Sequence, residues 1–501
     1  MSEYADWTKE QLLARIATLE AQQRTPVGLP EPSRVKEKCE KSFDLRNYAH
    51  HKIALKFCYH GWEYNGLAFQ GTQTPLPTVE GVLFDALCRT RLIDRDAGFE
   101  GCDWSRCGRT DRGVSSAGQV VALRMRSSNR PLPHPEGLSD VQEVGPKNSY
   151  PDIRYIQVLN RILPPSIRIL AWSVVKPEFS ARFNCRYRHY KYFFESLHPP
   201  AAPLNISQMY EAASRLVGTH DFRNFCKLDG SKQIQSHVRT VMSATISQLN
   251  HPTRDGEYPL YVLDLIGSAF LWHQVRHIMA ILFLVGQGLE KVEIVDTLLN
   301  VNPNNSNEVS TIPVLESRPI YEMVEGLPLV LWECGFDESD VQWRTDHDDG
   351  HGPVVPTSAS SSIQLLESMQ TSLASSIVKT QLQQHFLLEA AKHHQATLVD
   401  KIVRVPSGAG MMRHTNQYIP LLSRKRGLTP EEVNKTWRNG RGQVVIARRL
   451  HGGANGMSAH IKNTPDADVA SPTRLLPHPP SNVRSVSSTE ITQIESKQSG
   501  G

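Results

Sequence analysis

The feature that most constrains this chain is a glycine-rich loop that runs directly into a strand. The loop, residues 107–118, has three glycines in twelve residues, which is typical of a tight turn whose backbone can approach a ligand closely. Residues 119–126 follow with apolar side chains at every second position, and this period predicts a half-buried strand. A single carboxylate, Asp111, lies in the loop between Arg109 and Arg112. A reactive group on a loop held by a strand is a common catalytic arrangement.

Residue chemistry alone leaves the role of this loop open. Positive neighbours favour the ionised form of a carboxyl group, and an ionised Asp111 is suited to act as a nucleophile or base while the arginines face an anionic substrate. An ordinary surface turn with a solvated ion pair is the commoner outcome of such a spacing. A nucleotide-binding P-loop is not supported, because Val114 and Ser115 stand where that motif has lysine followed by serine or threonine.

Composition limits the class of protein. At 501 residues the chain is long enough for about three domains, and a hydrophobic fraction of 39% predicts some disordered tail or linker. The formal net charge is only +4, so any contact with nucleic acid requires a local basic face. Eight scattered cysteines without a CxxC pair, no long apolar run and no apolar N-terminal core predict a soluble intracellular protein with reduced thiols.

Two further segments carry candidate functional side chains. Tyr190, Tyr192 and Phe194 share one face of a predicted strand, although an aromatic stripe of this kind more often belongs to a core than to a site. Residues 271–285 have the composition of a mostly buried helix. This helix contains Arg276, and an arginine among apolar neighbours requires an anionic partner.

The same helix raises the alternative of a zinc hydrolase. His273 and His277 are four residues apart and therefore share one helix face. The zincin motif, however, requires glutamate where Gln274 stands, and no third ligand is evident in the sequence. Zinc is therefore disfavoured.

Three segments together resemble the TruA family of tRNA pseudouridine synthases. Residues 107–120, Cys-Gly-Arg-Thr-Asp-Arg-Gly-Val-Ser-Ser-Ala-Gly-Gln-Val, are similar to the signature loop of that family. Residues 188–192 resemble its Arg-x-Tyr-x-Tyr strand, with His189 departing from the small residue usually found there. Residues 270–276 resemble its Phe-x-x-x-x-Val-Arg helix. The resemblance covers roughly residues 50–335.

The resemblance implies a role for each candidate residue. Asp111 is implied to be the catalytic nucleophile, and Arg109 to help hold the target base outside the RNA stack. Arg112, the second arginine of the loop, is a further substrate-binding candidate. Tyr190 is implied to pack against the target uracil, where its hydroxyl could relay a proton. Arg276 is implied to pair with Asp111 and to fix the orientation of its carboxylate.

The resemblance also implies a fold and an activity. The fold class is α+β, with two related halves that each have a mostly antiparallel sheet backed by helices, and an active-site cleft between them. The activity is isomerisation of uridine to pseudouridine in the tRNA anticodon arm, without metal or other cofactor, by a homodimer in the nucleus and cytoplasm. Residues 158–165, 218–227 and 281–288 resemble the eukaryotic branch that acts at positions 38 and 39, and the choice among positions 38, 39 and 40 stays open. A catalytically silent tRNA-binding protein on the same scaffold is the rival interpretation.

On these grounds the chain divides into seven segments. They are an amphipathic N-terminal helix (1–23), a linker (24–50), a catalytic half carrying Asp111 (51–178), a second half carrying Tyr190 and Arg276 (179–336), a linker (337–362), a helical and basic extension (363–450) and a disordered tail (451–501). Residues 401–449 contain eleven Lys and Arg against two Glu, which suits either a surface for the RNA backbone or a merely solvated basic face.

Overall fold

The computed structural model describes residues 8, 15, 43–128, 153–196, 203–249, 259–302, 312–346, 360–394 and 402–442. The predicted N-terminal helix, apart from residues 8 and 15, and the predicted tail at 451–501 lie outside the described residues. Backbone contacts divide the chain into two units, residues 1–47 and 48–501. In the first unit the described stretch ends in a 3₁₀ turn, Leu45–Asn47. The second unit contains every element discussed below.

The second unit is built on one nine-stranded sheet. Its strands are β1 (His50–Tyr59), β2 (Ser105–Arg106), β3 (Ser115–Arg126), β4 (Ile167–Val174), β5 (Tyr187–Glu195), β6 (Gly218–Asp221), β7 (Val238–Leu249), β8 (Leu260–Gly267) and β9 (Leu329–Gly335). Their order is β4-β1-β3-β9-β5-β8-β7-β6, with β2 beside β3. Among these described strands, every pair except β3–β9 is antiparallel. A separate hairpin follows, β10 (Val403–Gly408) and β11 (Met411–Thr415).

Helices alternate with the strands in the part of the chain that the structure describes. Those in the described residues are α1 (Val79–Arg89), α2 (Gly98–Gly101), α3 (Tyr155–Asn160), α4 (Ile206–Ser214), α5 (Gln274–Gly286), α6 (Ile294–Leu299), α7 (Ser360–His393) and α8 (Pro430–Trp437). Within the described part of the chain, none has the length and apolar character needed to span a membrane. The predicted α+β fold class is confirmed. The helix predicted over 271–285 is present as α5, but it begins at Gln274, so residues 271–273 precede it.

The centre of the sheet is buried on both faces. In β3, Val121, Leu123 and Met125 pack into a cluster with α1 and α3, whereas Val120 and Ala122 pack into the cluster that contains α4 and α5. The prediction of a half-buried strand is therefore wrong for Ala122, which is fully buried. A strand covered on both faces carries apolar residues at consecutive positions, and alternation cannot then show which face is exposed.

A short parallel contact between β3 and β9 joins the strands of the two predicted halves. Ser115 pairs with Val330 and Ser116 with Leu331. The Oγ of Ser116 also donates to the carbonyl oxygen of Leu331 at 2.7 Å. The strands of both halves therefore belong to one continuous sheet. The relatedness of the halves and a cleft between them stay predictions.

The segments that follow β9 pack on this core. Within the predicted linker 337–362, the backbone of Arg344 pairs with that of Trp172 in β4, with N–O distances of 3.0 and 2.8 Å. In the hairpin, the carbonyl oxygen of Ser407 accepts from the amide of Glu325 at 2.7 Å. The predicted helical and basic extension thus contains a hairpin as well as helices.

A buried carboxylate connects α1 to the strand that leads into the glycine-rich loop. Glu80 is fully buried, and it accepts from Nε1 of Trp104 and the amide of Phe69, both at 2.9 Å, and from Arg106 of β2. Glu80→Ala leaves a guanidinium and two N–H groups without their acceptor, so we expect the free energy of unfolding to fall by about 3 kcal/mol in chemical denaturation. A loss under about 1 kcal/mol would contradict this reading of the contact.

Candidate active site

Residues 107–114 of the glycine-rich loop form a tight turn between β2 and β3 that presents Asp111, whereas residues 115–118, predicted as loop, already belong to β3. The amide of Val114 donates to the carbonyl oxygen of Asp111 at 3.1 Å. Gly113, between them, has a φ of +84°, which L side chains rarely adopt. The side chain of Asp111 is 29% exposed, and Arg109 and Arg112 are exposed beside it in the loop. A ligand can therefore reach the carboxylate and both arginines.

The loop that follows β1 supports the backbone just before Asp111. The amide of Leu67 donates to the carbonyl oxygen of Thr110 at 3.2 Å, and the hydroxyls of Tyr59 and Thr110 share a hydrogen bond of 2.7 Å. Gly66 has a φ of +88°, and a Cβ atom there would lie 2.9 Å from the same carbonyl oxygen. Only glycine fits this close approach without a shift of Thr110.

Arg276 reaches Asp111 from α5, in the second predicted half. Its Nε donates to the carbonyl oxygen of Val324 at 2.7 Å, and its Nη1 lies 3.8 Å from Oδ2 of Asp111. The arginine side chain is only 10% exposed, and it shares α5 with the buried apolar residues Val275 and Ile278. The carboxylate thus supplies an anionic partner of the kind that the sequence of this helix requires.

Two residues just before α5 contact the same carboxylate, and the sequence did not assign them to it. Nε1 of Trp272 donates to Oδ1 of Asp111 at 3.3 Å, and Nε2 of His273 lies 3.3 Å from Oδ2. Their closeness in sequence to Arg276, the predicted partner of Asp111, was the signal that could have indicated these contacts. Helical periodicity does not extend to them, because they precede the first residue of α5.

The two histidines considered for zinc have different partners. His273 faces Asp111, whereas Nε2 of His277 lies 2.7 Å from Nη1 of Arg318. Burial and the nearby guanidinium lower the pKa of His277 to about 2, so its ring stays neutral. Within the described ranges, no group of three or more His, Cys, Asp or Glu side chains could hold a metal ion. The positions of the rings do not support a zinc hydrolase.

Tyr190 lies on β5, and its ring is buried against the segment that leads into α5. The ring packs edge-on against Phe270 with a centroid distance of 5.1 Å. Burial raises the pKa of Tyr190 well above its usual range, so the hydroxyl keeps its proton at neutral pH. His189, which stands where the family usually has a small residue, contacts Asp264, with 2.6 Å between Nε2 and Oδ1.

Residues 270–276 therefore unite the candidate site. They touch Tyr190 through Phe270, and they touch Asp111 through an indole, an imidazole and a guanidinium. A partly exposed carboxylate held in this way, with exposed arginines on the same loop, has the features of an enzyme active site for an anionic substrate.

Comparison with known proteins agrees with this class. Residues 212–337 match the sequence profile of a family described as tRNA pseudouridine synthase. A protein of Saccharomyces cerevisiae named tRNA pseudouridine(38/39) synthase is 41% identical over 378 residues, which cover 72% of this chain and 78% of the yeast protein. The human protein of the same name is 39% identical over 344 residues, which cover 68% of this chain and 66% of the human protein. The chain belongs to the TruA family of tRNA pseudouridine synthases, and it is therefore an isomerase.

Gly66→Ala is expected to lower kcat for pseudouridine formation about 10- to 100-fold, because the new Cβ displaces Thr110 and, with it, Asp111. Gly98→Ala is the matched control, since Gly98 has a φ of +65° and a Cβ atom there would have no neighbour within 4 Å. Both variants pay a similar conformational penalty of about 1 kcal/mol in thermal unfolding. Equal kcat values for the two variants would show that the contact with Thr110 does not matter to the site.

Proposed function

We propose that this protein converts uridine to pseudouridine at positions 38 and 39 of the tRNA anticodon arm. The observation that carries the proposal is the set of contacts on Asp111, which holds one accessible carboxylate among an arginine, a histidine and an indole. The names of the yeast and human relatives support the two target positions.

Substrate capture requires that the target uracil leave its stack before any protein group reaches its glycosidic bond. Arg109, exposed on the same loop as Asp111, takes the place of the extruded base in this proposal. Arg112, also exposed, contacts a backbone phosphate. The two arginines thereby deliver the target nucleotide to the carboxylate.

In the chemical step, Asp111 assists cleavage of the bond between ribose C1′ and uracil N1. The detached uracil turns against Tyr190 and rejoins the ribose through C5, and the proton on C5 is lost as N1 gains one. The hydroxyl of Tyr190 is the candidate relay for that proton. The product is an isomer of the uridine and nothing is oxidised, so the balance of the reaction calls for no redox cofactor or group donor.

Mapping of pseudouridine in bulk tRNA tests this function. Cells with the wild-type gene, without it, and with Asp111→Asn in its place are compared by carbodiimide adducts and reverse-transcription stops. We expect loss confined to positions 38 and 39 in the second and third strains. Loss at other positions would overturn the target but keep the enzyme class, and no loss anywhere would favour a silent tRNA-binding protein.

We further propose that the basic segment 402–442 contacts the tRNA backbone. Arg413 is paired with Glu322 at 2.8 Å, whereas the side chains of Lys435 and Arg438 are exposed. Replacing Lys435 and Arg438 by alanine is expected to weaken binding to all tRNAs alike and to reduce the slope of log affinity against log salt by about one per residue. Filter binding at several salt concentrations measures the slope, and an unchanged slope would contradict this surface.

We also propose a homodimer that forms along α7. Leu366, Met369, Leu373 and Ile377 recur at helical spacing, and all four are exposed. Exposed apolar stripes on this scale are typical of protein interfaces. We expect light scattering to give the mass of a dimer for the wild type and the mass of a monomer for the double variant Leu373→Glu, Ile377→Glu. Ser375→Glu, on the opposite side of the helix, is the control and is expected to stay dimeric. A monomeric wild type would contradict the proposal.

Action in both nucleus and cytoplasm is a further proposal, supported by the resemblance to the eukaryotic branch. A fluorescent fusion that rescues pseudouridine formation is expected in both compartments. Its confinement to one compartment would contradict this.

A further inference from the structure

Asp111 is held through both carboxylate oxygens by three residues of one short segment. Oδ1 accepts from Nε1 of Trp272 at 3.3 Å, whereas Oδ2 faces Nε2 of His273 at 3.3 Å and Nη1 of Arg276 at 3.8 Å. The imidazole is therefore nearer to Oδ2 than the guanidinium is. Contacts to both oxygens from different directions fix the plane of the carboxylate as well as its position.

His273 makes its contact from a strained backbone conformation. Its φ is 62° and its ψ 11°, a left-handed conformation that residues with a Cβ atom avoid. The adjoining turn holds it there: the amide of Gln274 donates to the carbonyl oxygen of Leu271 at 3.1 Å, and Oε1 of Gln274 accepts from the amide of Leu271 at 2.7 Å. Strain that its surroundings maintain at an active site points to a functional contact.

The imidazole of His273 is also buried at a cost. The side chain is 8% exposed, and Nδ1 has no hydrogen-bond partner among the residues that the structure describes. A buried nitrogen without a partner lowers stability. The contact between Nε2 and Asp111 is a feature of His273 that accounts for both this cost and the left-handed backbone.

We propose that His273 is a positioning residue for Asp111. Its Nε2 faces Oδ2 at 3.3 Å and, together with Trp272 on Oδ1, sets the plane in which the carboxylate meets the target nucleotide. The tautomer with its proton on Nε2 leaves Nδ1 as a bare acceptor. A carboxylate free to rotate meets its target less often in the productive orientation, so loss of the contact slows the chemical step but not tRNA binding. The inference rests on the proposed function.

Two substitutions separate the contact with Asp111 from the backbone conformation. His273→Asn suits the left-handed backbone, because asparagine tolerates positive φ, but its amide is too short to reach the position of Nε2. His273→Gln reaches further and can place an amide nitrogen near that position, but it lacks this tolerance of positive φ. The single-turnover rate at saturating enzyme, the dissociation constant for tRNA and the melting temperature are measured for the full chain.

We expect the single-turnover rate to fall about 10- to 100-fold in His273→Asn and to recover several-fold in His273→Gln, with tRNA dissociation constants within about threefold of wild type. We expect melting temperatures in the opposite order, with His273→Asn the more stable of the two variants. The proposal would be overturned if the slower of the two variants were also the less stable one. A single-turnover rate equal to that of wild type in His273→Asn would overturn it as well. A wild type that forms no pseudouridine would overturn the proposed function, and this inference with it.

Discussion

Replacing Asp111 with asparagine is expected to reduce kcat for pseudouridine formation by at least roughly 10⁴-fold, while the affinity for tRNA stays within about threefold of wild type. Asparagine keeps the size of the side chain and can still accept from Trp272, but it lacks the charge and nucleophilicity of a carboxylate. Affinity persists because phosphate contacts spread over the protein supply most of it.

Single-turnover assays and filter binding on the same preparations test both parts of this prediction. Asp85→Asn is the matched control, since Asp85 undergoes the same chemical change in an exposed ion pair with Arg95, outside the site. We expect it to keep the kcat of wild type. Normal turnover by Asp111→Asn would remove Asp111 from the mechanism, whereas loss of tRNA binding in that variant would show that the carboxylate shapes the binding surface.

Apolar patterns in the sequence predicted the strand that carries Tyr190 and the helix that carries Arg276. Each pattern is recognisable because each element buries its apolar residues in a regular way. Tyr190 lies on a strand, β5, whose alternate residues are buried, and Arg276 lies on a helix, α5, whose residues are all buried. Because a buried arginine requires an anionic partner, the sequence predicted a carboxylate near Arg276. The family resemblance implied that this carboxylate is Asp111. Their functional roles stay predictions.

Other parts of the site depend on conformations that periodicity does not encode. His273 has a left-handed backbone conformation and precedes the first residue of α5, and from there it contacts Asp111. Its spacing of four residues to His277 therefore does not place the two rings on one helix face. The contact of Gly66 with Thr110 joins two loops more than forty residues apart. Ala122 is buried because a second layer covers the sheet, and a single strand's pattern does not show that layer.

Arg276→Met is expected to lower kcat roughly 10²- to 10³-fold, with a much smaller change in the affinity for tRNA. The guanidinium of Arg276 joins two partners, since Nε donates to the carbonyl oxygen of Val324 while Nη1 faces Oδ2 of Asp111. Methionine fills a similar volume but serves neither partner. Arg276→Lys restores the charge but has one nitrogen in place of the planar fork, so we expect it to recover only part of the lost rate.

Stability must be separated from activity here, because removing a buried arginine also weakens the fold. We expect Arg276→Met to lose about 1–3 kcal/mol in free energy of unfolding, through the lost donor to Val324. Arg344→Met, at an equally buried arginine beside β4, is expected to lose a similar amount of stability yet keep the kcat of wild type. If both variants lost activity in proportion to stability, Arg276 would be a structural residue. If only Arg276→Met lost turnover, the contact with Asp111 would be the cause.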